Sequence, residues 1–282
     1  MEELRGAPVA RAILDKTAAE ISRLAEAGIT PKLAVFRVGG REDDLAYERS
    51  IIKRFSTAGA VAEVTALSEN ATQEKLEAAV KRAADDAGVH GILVFSPLPK
   101  KFDSEKIRAL IPAEKDVDGM TDASLAGVFR GDKNAFAPCT AQAVVEMLRH
   151  YGMENLAGRR VTVVGRSTVV GKPLAMLLLG MNATVTVCHT KTADTAGECR
   201  RADIVVACAG QARMVSGEYM SAGQTIIDVG INADGDGICG DVDYAAAQGI
   251  VAAATPVPGG VGAVTTAVLL SHTVRNAARA SR

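Results

Sequence analysis

The segment VTVVGRSTVVGKPLAMLLL, residues 161–179, decides the fold of this chain. A valine-rich apolar run comes first, a turn bounded by Gly165 and Gly171 follows, and an apolar helical pattern continues from Pro173. Proline suits the first turn of a helix, where its missing N–H would have no intrahelical partner. A helix that begins directly after a glycine turn presents unpaired N–H groups, which suits a pyrophosphate. The segment therefore predicts the strand, glycine turn and helix of a nucleotide-binding domain.

Similar apolar runs, rich in valine and isoleucine, alternate with helical patterns along most of the chain. The runs are LAVFRVGG (33–40), HGILVFSPL (90–98), RRVTVVGR (159–166), TVTVCHT (184–190), DIVVACAG (203–210) and TIIDVGIN (225–232). Amphipathic stretches such as TQEKLEAAVKRAADDAG (72–88) lie between them. Near-continuous apolar strands that are joined by helices indicate parallel sheets covered on both faces. The predicted fold class is therefore α/β.

The middle of the chain indicates where one domain ends and another begins. Residues 115–139 are rich in Asp and Gly and have little periodicity, and a helical pattern over 139–152 precedes a new βαβ unit. The last helix could return to either domain and is assigned to the first. The expected division is a first domain over residues 1–140, a second over residues 141–263, and a C-terminal helix over residues 264–282.

Composition excludes several classes of function. The 282 residues carry a net charge of −1 with Lys and Arg scattered along the chain, which argues against a nucleic-acid binder. No apolar run reaches the roughly 18 residues that span a bilayer, and the first residues show no secretory signal. The five cysteines include no CxxC pair and the four histidines no HxxxH spacing, so no metal site is expected. We expect a cytoplasmic protein with free thiols.

The end of the second nucleotide-domain strand bears on which dinucleotide binds. An NAD site usually has Asp or Glu there to bind the ribose hydroxyls, but this strand ends CHTKT (188–192) without an acid. Arg166, Thr190 and Lys191 lie nearby in the pattern, so a 2′-phosphate and hence NADP are favoured. Two alternatives stay open. The GxSxxxG turn could be a plain, tightly packed βα turn, and Arg166 and Lys191 could be solvated surface charges.

Several sequence strings, taken in order, identify a family. They are HGILVFSPLP (90–99), KDVDG (115–119), PCT (138–140), GRSTVVGKP (165–173), IIDVGIN (226–232) and TPVPGGVG (255–262). Together they resemble the methylenetetrahydrofolate dehydrogenase/cyclohydrolase family over almost the whole chain. The resemblance implies two domains with parallel sheets flanking a cleft, an NADP-binding Rossmann-like C-terminal domain, and a homodimer. It also implies tetrahydrofolate one-carbon derivatives as ligands: hydride passes from 5,10-methylenetetrahydrofolate to NADP, and water then converts the methenyl product to 10-formyltetrahydrofolate.

The resemblance assigns roles to individual residues. Asp118 matches the acid that binds the pterin ring, and Tyr47 matches the tyrosine that stacks on the aminobenzoyl group; both are candidate catalytic and substrate-binding residues. Asp116 is expected to be a turn aspartate. The matching substrate-binding loop is Pro258, Gly259, Gly260 and Val261. The matching cofactor-binding positions are Gly165, Arg166, Ser167, Gly171, His189, Thr190 and Ile231.

Two positions depart from the family pattern. The cyclohydrolase lysine of the family lies four residues after the tyrosine, on the same helix face, and that position is Ile51 here. The nearest cations, Arg49 and Lys53, lie about 200° and 240° around an ideal helix from Tyr47. The supporting glutamine of the family is replaced by Phe95. Because isoleucine and phenylalanine cannot activate water, we predict a dehydrogenase whose cyclohydrolase activity is lost or very weak.

The sequence leaves three alternatives for the function open. Another basic group, such as Lys53 or Lys100, could enter the site and sustain hydrolysis. The protein could instead be a non-catalytic homologue that binds folate or a dinucleotide, although the presence of both sets of ligand-binding residues argues against decay. It could also be a dehydrogenase for a related pterin carrier.

Overall fold

A computed structural model describes residues 1–235 and 237–281. The strands are β1 Glu2–Glu3, β2 Lys32–Val38, β3 Val61–Leu67, β4 Gly91–Val94, β5 Arg160–Val164, β6 Thr184–Cys188, β7 Ile204–Ala207, β8 Thr225–Asp228, β9 Asn232–Asp234, β10 Gly237–Cys239 and β11 Ala253–Ala254. The α-helices are α1 Gly6–Glu26, α2 Glu42–Ala58, α3 Gln73–Asp85, α4 Ser104–Ala109, α5 Asp122–Arg130, α6 Cys139–His150, α7 Gly171–Gly180, α8 Thr195–Arg200, α9 Tyr244–Ala247 and α10 Gly262–Ala280. These elements form two compact units.

One unit contains a three-stranded parallel sheet in the order β3-β2-β4. It comprises residues 12–127, 132–139 and 266–281. The inward side chains of β2 and β4, such as Phe36 and Ile92, form one core cluster with the apolar stripe of α3. Thr72 begins that helix, because its hydroxyl accepts a hydrogen bond from the N–H of Lys75.

The other unit contains a six-stranded parallel sheet in the order β1-β11-β8-β7-β5-β6. It comprises residues 1–11, 128–131 and 140–265. Strand β5 has β6 on one side and β7 on the other. The order in which the chain adds strands to the sheet therefore reverses at β5. Loops at such a switch point form the ligand crevice of open α/β sheets. The α/β class and the Rossmann-like C-terminal domain that the sequence predicts are confirmed.

The two units do not follow the order of the chain. Residues 1–11 belong with the six-stranded sheet because β1 pairs with β11, with Glu2 opposite Ala253. The N–H of Leu4 extends this pairing through a 2.9 Å bond to the carbonyl of Ala254. The helix α10 contributes its residues from Thr266 onward to the three-stranded unit. Pairing between distant segments therefore sets the composition of each unit.

Gly119 shows how tightly the backbone is packed beside Asp118. Its φ is +69°, and a Cβ there would overlap the carbonyl carbon of Ala137 and lie 2.5 Å from the nitrogen of Pro138. Gly28 has a similar φ of +73°, but nothing lies within 4 Å of a Cβ built on it. Both glycines adopt a conformation that L-residues rarely occupy, and only Gly119 is also closely enclosed.

We predict that Gly119→Ala destabilises the protein more than Gly28→Ala does. The Gly28 variant meets only the unfavourable left-handed backbone, which costs about 1–2 kcal/mol. The Gly119 variant meets the same cost and must also displace backbone atoms. Urea denaturation of both variants measures the difference in the free energy of unfolding. Equal losses would show that the packing around Gly119 is not the constraint described.

Candidate active site

Tyr47 and Ile51 lie one turn apart on α2, and Phe95 directly follows β4. The ring centroids of Tyr47 and Phe95 are 5.5 Å apart, with the ring planes tilted by 39°. Tyr47 is half-buried, whereas Ile51 is fully buried and Phe95 is 6% exposed. The position one turn after the tyrosine and the position at the strand end are thus both occupied by apolar side chains. Neither side chain can donate or accept a hydrogen bond.

An ion pair beside Tyr47 attaches α2 to the sheet. Arg37 Nε, on β2, lies 2.7 Å from Glu48 Oε2, on α2, and both side chains are largely buried. The same guanidinium also donates to the carbonyl of Gly39 through Nη1. Charge-assisted bonds in a partly buried setting are stronger and more directional than neutral ones. This pair therefore attaches α2 to β2 at the residue after Tyr47.

The two aspartates of KDVDG, Asp116 and Asp118, have different roles. Asp116 is buried, and its carboxylate accepts the N–H groups of Met120 at 3.0 Å and Thr121 at 2.7 Å. It is the turn aspartate that the sequence indicates. Asp118 is half-buried, and burial, followed by the charge of Asp116, raises its pKa to about 7, although hydrogen bonds from Cys139 oppose the rise. The carboxylate of Asp116 is used by its own turn, whereas that of Asp118 is available to bind a ligand.

The structure brings Tyr47 and Asp118 into one electrostatic environment. Burial raises the pKa of Tyr47 well above its ordinary value, and the negative charge of Asp118 adds to the effect. The phenol therefore keeps its proton at neutral pH. A hydrogen-bond acceptor, a protonated hydroxyl and the aromatic faces of Tyr47 and Phe95 are available in this part of the three-stranded unit.

A small pocket of about 30 Å³, partly open to solvent, lies next to Asp118. Its walls include Ile92, Val94 and Leu98, with the hydroxyl-bearing Ser96 at the edge. A carboxylate beside these apolar walls can accept hydrogen bonds from a ligand that presents N–H donors.

Cys139 and His272, a pair that the sequence pattern does not predict, support the backbone beside Asp118. His272 Nδ1 lies 2.9 Å from the carbonyl of Val117, and since a carbonyl cannot donate, Nδ1 carries the proton. Cys139 Sγ donates to the same carbonyl at 3.3 Å. Burial lowers the pKa of His272 to about 3, so its ring is neutral. No local pattern marks His272, because its partner lies 155 residues away in the sequence.

The glycine turn of the other unit is closely packed. A Cβ at Gly165 would overlap the carbonyl of Cys208 at the end of β7, and a Cβ at Gly171 would overlap the carbonyl of Gly165. The hydroxyl of Ser167 accepts the N–H of Val170 at 3.1 Å, which closes the turn before α7 begins. The two glycines let the turn sit against both the neighbouring strand and the helix N-terminus. A turn of this kind lets a pyrophosphate approach the backbone N–H groups at the helix N-terminus.

Two exposed cations lie beyond the ends of neighbouring strands. Arg166 follows β5 and Lys191 follows β6, and β5 and β6 are paired. The turn after β6 is ordered by His189, whose N–H bonds Thr192 Oγ1 at 2.9 Å and whose Nδ1 accepts the N–H of Lys191 at 3.1 Å. Thr190 is exposed in this turn, and residues 188–192 contain no acid. The arrangement suits an additional phosphate better than free ribose hydroxyls.

The remaining predicted positions follow β8 and β11. Ile231 is 64% exposed, which is unusual for an isoleucine. In the loop after β11, Pro258 and Gly259 are exposed, whereas Val261 is only 2% exposed. The N–H of Gly6 donates to the carbonyl of Gly259 at 2.8 Å, which attaches the loop to the start of α1. The exposed part of this segment is thus its Pro-Gly corner.

Neither a metal centre nor a membrane span is found in residues 1–235 and 237–281. Within these ranges, no group of three or more His, Cys, Asp or Glu side chains could hold a metal ion. No helix in the same ranges is both long and apolar enough to cross a bilayer. The cysteines at 139, 188, 199, 208 and 239 are free.

Comparisons with known proteins agree with this geometry. Residues 4–118 match the catalytic domain, and residues 138–281 the NAD(P)-binding domain, of tetrahydrofolate dehydrogenase/cyclohydrolase. The Bifunctional protein FolD of Clostridioides difficile is 48% identical over 273 residues, which cover 96% of this chain and 95% of that protein.

Solved structures give the same result. The FolD methylenetetrahydrofolate dehydrogenase/cyclohydrolase of Campylobacter jejuni superposes with a TM-score of 0.95 at 35% identity, and covers 99% of both chains. The Trypanosoma brucei enzyme, whose structure contains NADP and an inhibitor, superposes with a TM-score of 0.93 at 38% identity, and covers 99% of this chain and 97% of its own. The chain therefore belongs to the tetrahydrofolate dehydrogenase/cyclohydrolase family.

Proposed function

We propose that this protein is an NADP-dependent methylenetetrahydrofolate dehydrogenase whose cyclohydrolase activity is lost or very weak. The observation that carries the second half of the proposal is the apolar pair Ile51 and Phe95, one turn after Tyr47 and at the end of β4. In the proposed reaction, the one-carbon bridge of 5,10-methylenetetrahydrofolate loses a hydride and becomes the methenyl cation. NADP, when bound, supplies the nicotinamide that accepts this hydride.

The three-stranded unit supplies the folate-binding groups in this proposal. Asp118 accepts hydrogen bonds from the pterin N–H and amino groups, which fixes the orientation of the ring. The phenol ring of Tyr47 provides a face for the aminobenzoyl group. Hydride transfer depends mainly on holding the reacting carbons close together and aligned, so these contacts account for the contribution of this unit to the rate.

Hydrolysis of the methenyl cation needs more than positioning. A group must take a proton from the attacking water, and another must manage protons as the ring opens. Ile51 and Phe95 can do neither. Tyr47 is a poor base because its raised pKa keeps the phenol protonated at neutral pH. This site therefore lacks the polar pair that the family uses for the second reaction.

Lys53 lies on another surface. It is exposed and lines a groove between α1 and α2 together with Ser50 and Thr57. Lys100 is exposed and lines a pocket with Arg41 that shares Leu98 with the pocket beside Asp118. Bifunctional activity nevertheless remains the second candidate, because the relative from Clostridioides difficile carries that name.

One assay measures both activities of the family on this protein. With methylenetetrahydrofolate and NADP, absorbance at 340 nm should rise, and the methenyl product should then decay at the rate seen without enzyme. Ile51→Lys combined with Phe95→Gln should accelerate that decay, because the pair restores an ionisable group and a polar partner. The matched control is Ile52→Lys, which places a lysine on the exposed side of the same helix and should leave the decay unchanged. Rapid methenyl hydrolysis by the unmodified protein would contradict the proposal.

Substitution of Arg166 tests the choice of cofactor. Arg166→Ser should raise KM for NADP by roughly 10-fold or more and leave KM for NAD nearly unchanged, since a charge-assisted bond to a phosphate contributes about 1.5–3 kcal/mol. Arg160→Ser, at the opposite end of β5, is the matched control and should change neither constant. Steady-state kinetics with both cofactors measure the effect. A strong preference of the unmodified protein for NAD would overturn the assignment.

Asp118 and Asp116 should respond differently when each is replaced by asparagine. The pKa of Asp118 is about 7 in the folded protein against an ordinary value of 3.8, so its stabilising contribution is present below the ordinary value and lost as pH rises through 7. Asp118→Asn should therefore abolish most activity and raise the melting temperature at pH 8 by about 2–4 °C. This gain should shrink as pH falls toward 4.

Asp116→Asn provides the matched comparison in the same turn. It replaces an acceptor of two backbone N–H groups, so it should lower the melting temperature. Thermal unfolding of both variants from pH 4 to pH 8 measures the two effects. A loss of stability in Asp118→Asn at pH 8 would show that its carboxylate is a structural group.

A further inference from the structure

We propose that Asp241 is a positioning residue for the nicotinamide half of the cofactor. Its carboxylate ties together the loops that follow β7 and β8. The inference deepens the proposed function and rests on the assignment of NADP as the cofactor. It concerns a residue outside the glycine turn and outside every position that the sequence patterns single out.

The carboxylate of Asp241 is completely buried and fully used. Oδ2 accepts the N–H groups of Ala209 at 2.6 Å and Gly210 at 2.8 Å. Oδ1 accepts the N–H of Gln211 at 2.9 Å and Nδ2 of Asn232 at 2.9 Å. Three consecutive backbone donors after β7 and a side chain after β8 thus converge on one side chain.

A second aspartate holds Asp241 in place. Asp228, at the end of β8, accepts the N–H groups of Gly230 at 2.9 Å, Asp241 at 3.0 Å and Val242 at 2.9 Å. A Cβ at Gly230 would overlap the carboxylate of Asp241, and a Cβ at Gly240 would overlap the carboxylate of Asp228. Glycines at these two positions let the carboxylates approach the backbone closely. The two loops and the segment before α9 therefore form one interlocked cluster.

The place of this cluster in the sheet connects it to the nicotinamide. The pyrophosphate belongs at the glycine turn after β5, and the adenosine with its 2′-phosphate belongs on the β6 side, where Arg166 and Lys191 lie. A dinucleotide that crosses the switch point must then extend its other half over the ends of β7 and β8. Residues 209–211 and 230–232 follow those two strands.

The cluster leaves the side chain of Ile231 exposed. It is 64% exposed, while its neighbours Gly230 and Asn232 are bonded to Asp228 and Asp241. An apolar side chain held out between two anchored residues offers a fixed surface for a flat ring. The ordering of these loops before the ligand binds lowers the entropic cost of positioning it.

An amide cannot replace the carboxylate of Asp241. Each oxygen accepts at least one backbone N–H of the loop after β7, so either orientation of an asparagine would point its NH₂ group at a backbone donor. Asp241→Asn should therefore release part of that loop while keeping the volume of the side chain. The matched control is Asp243→Asn, two residues away, whose carboxylate accepts the N–H of Ala246 and caps α9 without touching either loop.

Calorimetry with two probes tests the proposal on the full-length protein. NADPH contains both halves of the cofactor, whereas adenosine 2′,5′-bisphosphate lacks the nicotinamide half. Asp241→Asn should weaken NADPH binding at least 10-fold and change binding of the bisphosphate less than twofold. It should also raise KM for NADP while leaving KM for methylenetetrahydrofolate within twofold. Asp243→Asn should lower the melting temperature and leave both dissociation constants unchanged.

Each other outcome contradicts a specific claim. Equal weakening of both probes, or an equal effect of Asp243→Asn, would mean that Asp241 has only a structural role. Should Asp241→Asn fail to fold, Asn232→Ala removes a single donor at a half-buried position and should weaken NADPH binding about threefold without affecting the bisphosphate; no change would overturn the proposal. Failure of the unmodified protein to bind NADPH would contradict the proposed cofactor instead.

Discussion

The parallel pairing of strands is the constraint on which the rest of this structure depends. Parallel strands need crossover connections, and all their carboxyl ends meet at one edge of the sheet. In the six-stranded unit, this brings the segments after β5, β6, β7 and β8 to the same edge, although they are spread over residues 165–232. The glycine turn, the two exposed cations and Ile231 are therefore neighbours of paired strands, and local sequence alone would not group them.

Buried carboxylates shape the backbone in both units. Asp116 accepts two N–H groups of its own turn, and Asp228 and Asp241 accept backbone donors from segments that follow different strands. Because these carboxylates are satisfied by the protein, they define loop conformations and leave other groups available. Asp118 is the contrasting case, since burial raises its pKa to about 7 without a full set of backbone donors. A group that is costly to ionise in the free protein is suited to a ligand that brings donors.

The sequence predicts β2 and β4 to β8 and misses β3 and the shortest strands. β3 (Val61–Leu67) is an edge strand whose side chains are mostly exposed or half-buried, and its sequence VAEVTAL contains no continuous apolar run. β1 and β11 have two residues each, too few for a periodic pattern. The apolar run 90–98 is longer than β4, which ends at Val94 before the Ser96-Pro97 pair. The strands with which a segment pairs, rather than its local composition, decide where each strand begins and ends.

The sequence by itself determined the fold class and the family, and it led to the expectation that Ile51 and Phe95 stand where the family has a lysine and a glutamine. These properties follow from short sequence motifs and from apolar periodicity, so they can be inferred without knowing which segments of the chain are in contact. Only the tertiary structure decided that Cys139 and His272 share the carbonyl of Val117, and that Asp241 joins the loops after β7 and β8. Such contacts link residues that are 9 to 155 positions apart, and their geometry exists only once the strand order is fixed.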